Sequence, residues 1–115
     1  METRELVASV KERFQDIRCL QVEHYLGLMS SPLRFHILCA LNTHSFSVGE
    51  LVEICEGTLS NVSQQLKLLW MGGLITKARQ GKTIVYSLGD QRVAQLIATL
   101  EELFAKEVTA CVDED

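Results

Sequence analysis

No apolar run in this chain exceeds five residues, Ile37 to Leu41, far short of the roughly 20 that cross a bilayer as a helix. Proline occurs once and glycine seven times among 115 residues, which excludes collagen-like repeats and low-complexity linkers. The start, Met1-Glu2-Thr3-Arg4-Glu5, lacks the basic stretch and long apolar core of a secretory leader. A cytoplasmic chain with reduced thiols and no membrane partner is therefore expected. Only four cysteines are present, and no two have the spacing of a zinc knuckle. With 47% apolar and 23% charged residues, the composition is that of one globular domain over 1–115, neither a disordered segment nor a multi-domain enzyme.

The most informative absence is positional. The formal charge is −4, from 15 acidic and 11 basic side chains, and as a total it speaks against nucleic acid. Yet no Asp or Glu lies between Glu56 and Asp90. The 33 residues of 57–89 carry Lys67, Lys77, Arg79 and Lys82, a charge of +4, while the remainder holds seven basic against 15 acidic side chains, a charge of −8. A basic segment inside an acidic chain is the footprint of one element that meets phosphate while the rest stays soluble.

Apolar periodicity and caps divide the chain. Leu6, Val10, Phe14 and Ile17 recur at helical spacing and predict one helix over 3–27. Ser31-Pro32 starts a second, to about Asn42, with Ser as N-cap and Pro at the first helical position. Ser47-Val48-Gly49-Glu50 is a capping box; it opens a short helix with Val48, Leu51, Ile54 and Cys55 inward, ending at Gly57. Thr58 or Ser60 caps the next helix, Leu59 to Met71, which buries Val62, Leu66 and Leu69 and stops at Gly72-Gly73. Two short helices joined by a turn of about three residues form a helix-turn-helix over 47–71. Two strand-like runs, Leu74 to Arg79 and Thr83 to Leu88, meet at Gln80-Gly81-Lys82 and form a wing over 74–88. Asp90 caps a final helix, 90–110, with Val93, Leu96, Ile97, Leu100, Leu103, Phe104 and Val108 on one stripe.

The expected fold is mainly α with a small β-hairpin, a winged helix-turn-helix of order ααααββα. The first and last helices carry apolar stripes longer than a three-helix core can cover, and a homodimer through them is the simplest burial. On the helix 59–71 the outward residues are Ser60, Asn61, Ser63, Gln64 and Lys67. Asn and Gln can pair with adenine, Ser can bond bases or phosphates, and Lys neutralises phosphate. The hairpin tip adds Arg79, Gln80, Lys82 and Thr83 for backbone or minor-groove contact. Solvation alone is the common reason for a polar helix face; the capped neighbouring helix, the missing acids and the basic wing favour double-stranded DNA.

Several segments in this order and spacing resemble the ArsR/SmtB family of repressors: Ser47-Val48-Gly49-Glu50-Leu51, Ser60-Asn61-Val62-Ser63-Gln64-Gln65-Leu66-Lys67-Leu68-Leu69, Gly73-Leu74, Arg79-Gln80-Gly81-Lys82 and Tyr86-Ser87-Leu88. The resemblance spans about 30–104. It implies a winged-helix homodimer on an operator palindrome, released when an inducer binds or modifies the protein. It also implies that Ser60, Ser63 and Gln64 hold base- and phosphate-contacting positions, Gln64 standing where many members have His. The family's Cys-Val-Cys metal motif is here Ser47-Val48-Gly49. Its last-helix metal site keeps Asp90, but Arg92, Leu103 and Lys106 fill the other positions and cannot replace the ligands. Neither common metal site is present, and no cofactor is implied.

Arg34-Phe35-His36-Ile37-Leu38-Cys39-Ala40-Leu41 is further similar to the HlyU/BigR-like thiol-sensing branch, which responds to oxidants or persulfides. That branch has a Cys at the position of Cys39 and a second in the last helix. The ungapped partner falls at Ala105; the nearest thiol is Cys111, six residues on or about 9 Å along a helix, so Cys39–Cys111 pairing requires the chain end to bend back. An alternative is a soft-metal or arsenite site drawing on Cys19 or Cys111. Cys55 reads as a small core residue, and His24 and His44 as surface or packing residues; His36 and Cys39 share a helix face. The other class of reading is a winged-helix protein-interaction module with no operator. No nucleophile–base pair, paired carboxylates or phosphate loop supports an enzyme.

Overall fold

A computed structural model describes the backbone of residues 2–113 and the side chains of residues 2–105. The elements are α1 (Thr3–Arg13), α2 (Ile17–Met29), α3 (Pro32–Leu41), β1 (Phe46–Ser47), α4 (Val48–Cys55), α5 (Leu59–Met71), β2 (Ile75–Gln80), β3 (Thr83–Leu88) and α6 (Gln91–Asp113). Their starts follow the caps. The Ser31 hydroxyl accepts from the Arg34 N–H at 3.4 Å, with Pro32 in the first turn. Ser47 Oγ accepts from the Glu50 N–H at 3.2 Å while Glu50 Oε1 accepts from the Ser47 N–H at 2.9 Å, closing the capping box. Thr58, not Ser60, caps α5, its hydroxyl accepting from the Asn61 N–H at 3.2 Å.

Three expectations are corrected. The single helix over 3–27 is two helices: Asp16 is extended, and its carboxylate accepts from the Arg18 N–H at 2.8 Å, starting α2 anew. The apolar spacing ran across this break because Phe14 and Ile17 flank it in phase. Second, the sheet has three antiparallel strands in the order β1-β3-β2, with Phe46 opposite Tyr86 and Ser47 opposite Val85. Third, Ile54 faces outward, 48% exposed, whereas its neighbour Cys55 is half-buried and packs against the core as expected. Glu56 adopts the left-handed conformation (φ 52°) before Gly57 and turns the chain out of α4.

The wing is a two-residue hairpin, with Gln80 opposite Thr83. Gly81 has φ +65° while Lys82 does not turn positive, the pattern of a type II′ turn that matches strand twist.

The core joins Ile37, Leu38 and Leu41 of α3, Leu51 of α4 and Val62, Leu66 and Leu69 of α5 to Leu74, Ile75, Val93 and Ile97. Burying residues 62, 66 and 69 rotates the other side of α5 into solvent. In contrast, no α1 or α2 residue is fully buried, although Tyr25, Leu28 and Met29 pack against the core. The radius of gyration is 18.3 Å, against about 13 Å for a compact domain of this length, because the terminal helices project from that core.

Candidate nucleic-acid interface

The outward face of α5 carries the residues singled out from the sequence. Ser60, Asn61, Ser63, Gln64 and Lys67 are all exposed. The side chains of Ser60, Ser63, Gln64 and Lys67 have no hydrogen-bond or ion-pair partner among the described residues, so their bonding capacity faces solvent. The first turn contains no acid, leaving the positive end of the helix dipole uncompensated and favourable to an anion. On the wing, Arg79 lies opposite Ile84 on β3, and Lys82 occupies the turn. Both are exposed and without an ion pair among the described residues. Lys77 is engaged differently: its Nζ lies 4.2 Å above the Trp70 ring, a cation–π contact joining β2 to the end of α5.

Two further residues belong to this surface and were not apparent in the sequence. The Arg34 guanidinium donates from Nη1 to Gln65 Oε1 at 2.8 Å, and from Nε and Nη2 to the carbonyls of Leu28 and Gly27 at 2.7 and 3.4 Å. Gln65 Nε2 then donates to Asn61 Oδ1 at 3.2 Å. Arg34 thus satisfies carbonyls of the last turn of α2 and holds a side chain of α5. Arg34 and Gln65 stand 31 residues apart, and no periodicity links them.

A second polar cluster joins α2 to α6. The Asp90 carboxylate accepts from the Arg92 backbone N–H at 2.9 Å and from its guanidinium at 3.0–3.1 Å. The Tyr25 hydroxyl donates to Asp90 and accepts from Arg92, whose guanidinium lies 4.8 Å over the Tyr25 ring. The Arg92 hydrogen bond, with help from Tyr25, holds the Asp90 carboxyl at about 2 despite its burial. The Asp90 hydrogen bond in turn raises the Tyr25 phenol. Beside this cluster an apolar cleft of about 420 Å³ runs between Val22, Leu26 and Met29 of α2 and Leu96 of α6.

Cys39, Cys55 and His36 line one surface groove with Ile54 and Glu56. Burial raises both thiols, and nearby Glu101 raises Cys39 further. No group of three His, Cys, Asp or Glu side chains suited to a metal forms among the described residues. The side chain of Cys111 lies outside them. No helix among the described residues is long and apolar enough to cross a membrane.

Residues 31–77 match the model of the bacterial regulatory protein, arsR family. The chain is 33% identical over 90 residues to the biofilm growth-associated repressor of Xylella fastidiosa, covering 78% of this chain and 79% of that protein. The solved structure of HlyU from Vibrio cholerae matches with a TM-score of 0.73 and 30% identity, over 78% of this chain and 98% of that one. A homodimeric winged helix-turn-helix DNA-binding domain from Mycobacterium bovis shares the fold, with a TM-score of 0.68 at 21% identity, over 94% and 91% of the two chains. The helix-turn-helix, the three-stranded wing and these relatives agree: this chain belongs to the ArsR family of DNA-binding transcriptional regulators and is not an enzyme.

Proposed function

We propose that the chain is a homodimeric repressor that binds a palindromic operator and leaves it on a thiol-based signal. Ser60, Asn61, Ser63, Gln64 and Lys67 enter the major groove on α5, while Arg79 and Lys82 on the wing hold the backbone or minor groove. The observation that carries this reading is the fate of the acid-free segment: it folds into one outward helix face and a hairpin tip whose cations have no acidic partner among the described residues. The relative from Xylella fastidiosa is itself named a repressor.

Dimerisation falls to the N-terminal segment 1–27 and the C-terminal helix 90–110. Leu6, Val10, Phe14, Ile17 and Leu26 on one side, and Leu103 and Phe104 on the other, are all 46% or more exposed, a surface a second copy would cover. The related fold from Mycobacterium bovis is a homodimer, in keeping with two α5 helices set one DNA turn apart, about 34 Å.

The signal is assigned to Cys39, as the HlyU/BigR-like resemblance implies, with Cys111 as its partner because it is the thiol nearest in sequence to Ala105, where that branch has its second Cys. Burial and Glu101 raise the Cys39 thiol, so at neutral pH it reacts through a smaller thiolate fraction than a free cysteine.

Fluorescence anisotropy on an inverted-repeat duplex and a scrambled one, at several salt concentrations, tests the reading. Tighter binding to the repeat, with a steep fall in affinity as salt rises, is expected. Equal affinity for both duplexes would contradict a palindromic operator. Peroxide or a persulfide donor should release the wild type but not Cys39→Ser; full release of that variant would remove the thiol assignment.

A further inference from the structure

We propose that Arg34 and Gln65 are positioning residues that turn the donor end of Asn61 to the groove, so that Asn61 selects guanine over adenine at one base pair of the bound duplex. The inference rests on the docking of α5 proposed above and adds the direction of one contact.

The argument starts from the donor inventory. A guanidinium has only donors, whereas a primary amide has one acceptor end and one donor end. Arg34 Nη1 therefore requires the carbonyl end of Gln65, and Oε1 meets it at 2.8 Å. With Oε1 turned to Arg34, the planar amide presents Nε2 to the helix turn before it, where the acceptor is Asn61 Oδ1 at 3.2 Å. The polarity of the row is thus set at Arg34 and propagates without a choice at either amide. Arg34 is itself held at its other nitrogens by the Leu28 and Gly27 carbonyls, so it cannot swing away without exposing the end of α2. Arg34 and Gln65 are half-buried and Asn61 is exposed: the fixed end of the row is inside and the free end faces out.

Asn61 sits in the first turn of α5, the part of such a helix that reaches base edges. An unrestrained Asn recognises adenine by accepting from N6 and donating to N7 at once. Here the bond from Gln65 turns Oδ1 along the helix toward the next turn, and Nδ2, which has no partner among the described residues, is the end offered to the groove. Two adjacent acceptors, O6 and N7, lie on the major-groove edge of guanine, whereas adenine offers N7 alone and sets its N6 donors beside it against Nδ2. Gln64, next to Gln65 but outside the row, keeps both ends of its amide.

A randomised duplex pool selected on the 115-residue chain reads this directly. The relevant base pair is the one whose preference disappears in Asn61→Ala. There the wild type should enrich guanine over adenine by roughly three- to tenfold, at or below the lower end of the discrimination of a two-bond contact. Gln65→Met and Gln65→Glu both free the Asn61 carbonyl and should bring that ratio to one or below. Gln65→Glu keeps an acceptor for Arg34, which guards against loss of folding. Its added charge weakens all sequences alike, and a ratio is blind to that. Adenine enrichment by the wild type, no base preference lost in Asn61→Ala, or a wild-type ratio in both Gln65 variants would overturn the proposal.

A second arm needs no DNA. In ¹⁵N-labelled protein, Arg34→Met should shift the side-chain amide signals of both Gln65 and Asn61; unchanged signals would overturn the row itself. Failure to bind any duplex, with those signals responding as expected, would instead overturn the docking and the base selection that depends on it.

Discussion

Asp90 shows how much one carboxylate does at the junction of the wing and α6: it opens the helix, pairs with Arg92 and receives the Tyr25 hydroxyl. Its folded value of about 2 lies below the ordinary carboxylate value of about 3.9. Its contribution is therefore fully present above about pH 4 and lost as pH falls towards 2. Asp90→Asn should lower stability by about 1–2 kcal/mol at neutral pH, measured by urea unfolding, and the gap to wild type should close as pH falls through that window. A constant gap from pH 7 to pH 2 would contradict the assignment. For Cys39, whose thiol is raised by burial and Glu101, alkylation at pH 7 should be slower than for a free cysteine and accelerate with pH. Asp90 was legible as a cap from its place before an apolar stripe. Arg34 and Gln65 were not, because a hydrogen bond between helices distant in sequence leaves no local pattern.

At the scale of elements, capping chemistry made α3, α4 and α5 readable, since Ser31, Ser47 with Glu50, and Thr58 each satisfy a backbone donor within three residues. β1 is two residues long and exists only through its pairing with β3, so no alternation could announce it. The α1–α2 break hid behind continuous apolar spacing; only the Asp16 cap marks it. The end of α4 carries a testable strain. Glu56 holds φ 52°, a region that costs a side-chain-bearing residue roughly 1–2 kcal/mol and glycine almost nothing. Glu56→Gly should therefore raise stability in urea unfolding by about 1 kcal/mol, reduced by glycine's larger unfolded-state entropy. A loss of stability would show that the left-handed turn is not strained.

The whole molecule is an acidic body with a basic face. The +4 segment lies on α5 and the wing, while the acidic excess is concentrated in the C-terminal stretch 90–115, with seven acidic against two basic side chains, where it limits non-specific attraction to DNA. The terminal helices leave their apolar side chains open in the single chain. Leu26→Asp, placed in the cleft between α2 and α6, should reduce the mass seen by light scattering to that of one 12.9 kDa chain and weaken binding to an inverted repeat. A dimer of unchanged stability would contradict this surface as the interface. The central claim, that α5 reads bases while the wing holds the backbone, is tested most directly by binding Gln64→Ala and Lys82→Ala to a panel of duplexes over a range of salt. Gln64→Ala should change which sequences bind best, and Lys82→Ala should weaken every duplex by a similar factor and lower the salt slope by about one; wild-type affinity in both variants across the panel would contradict it.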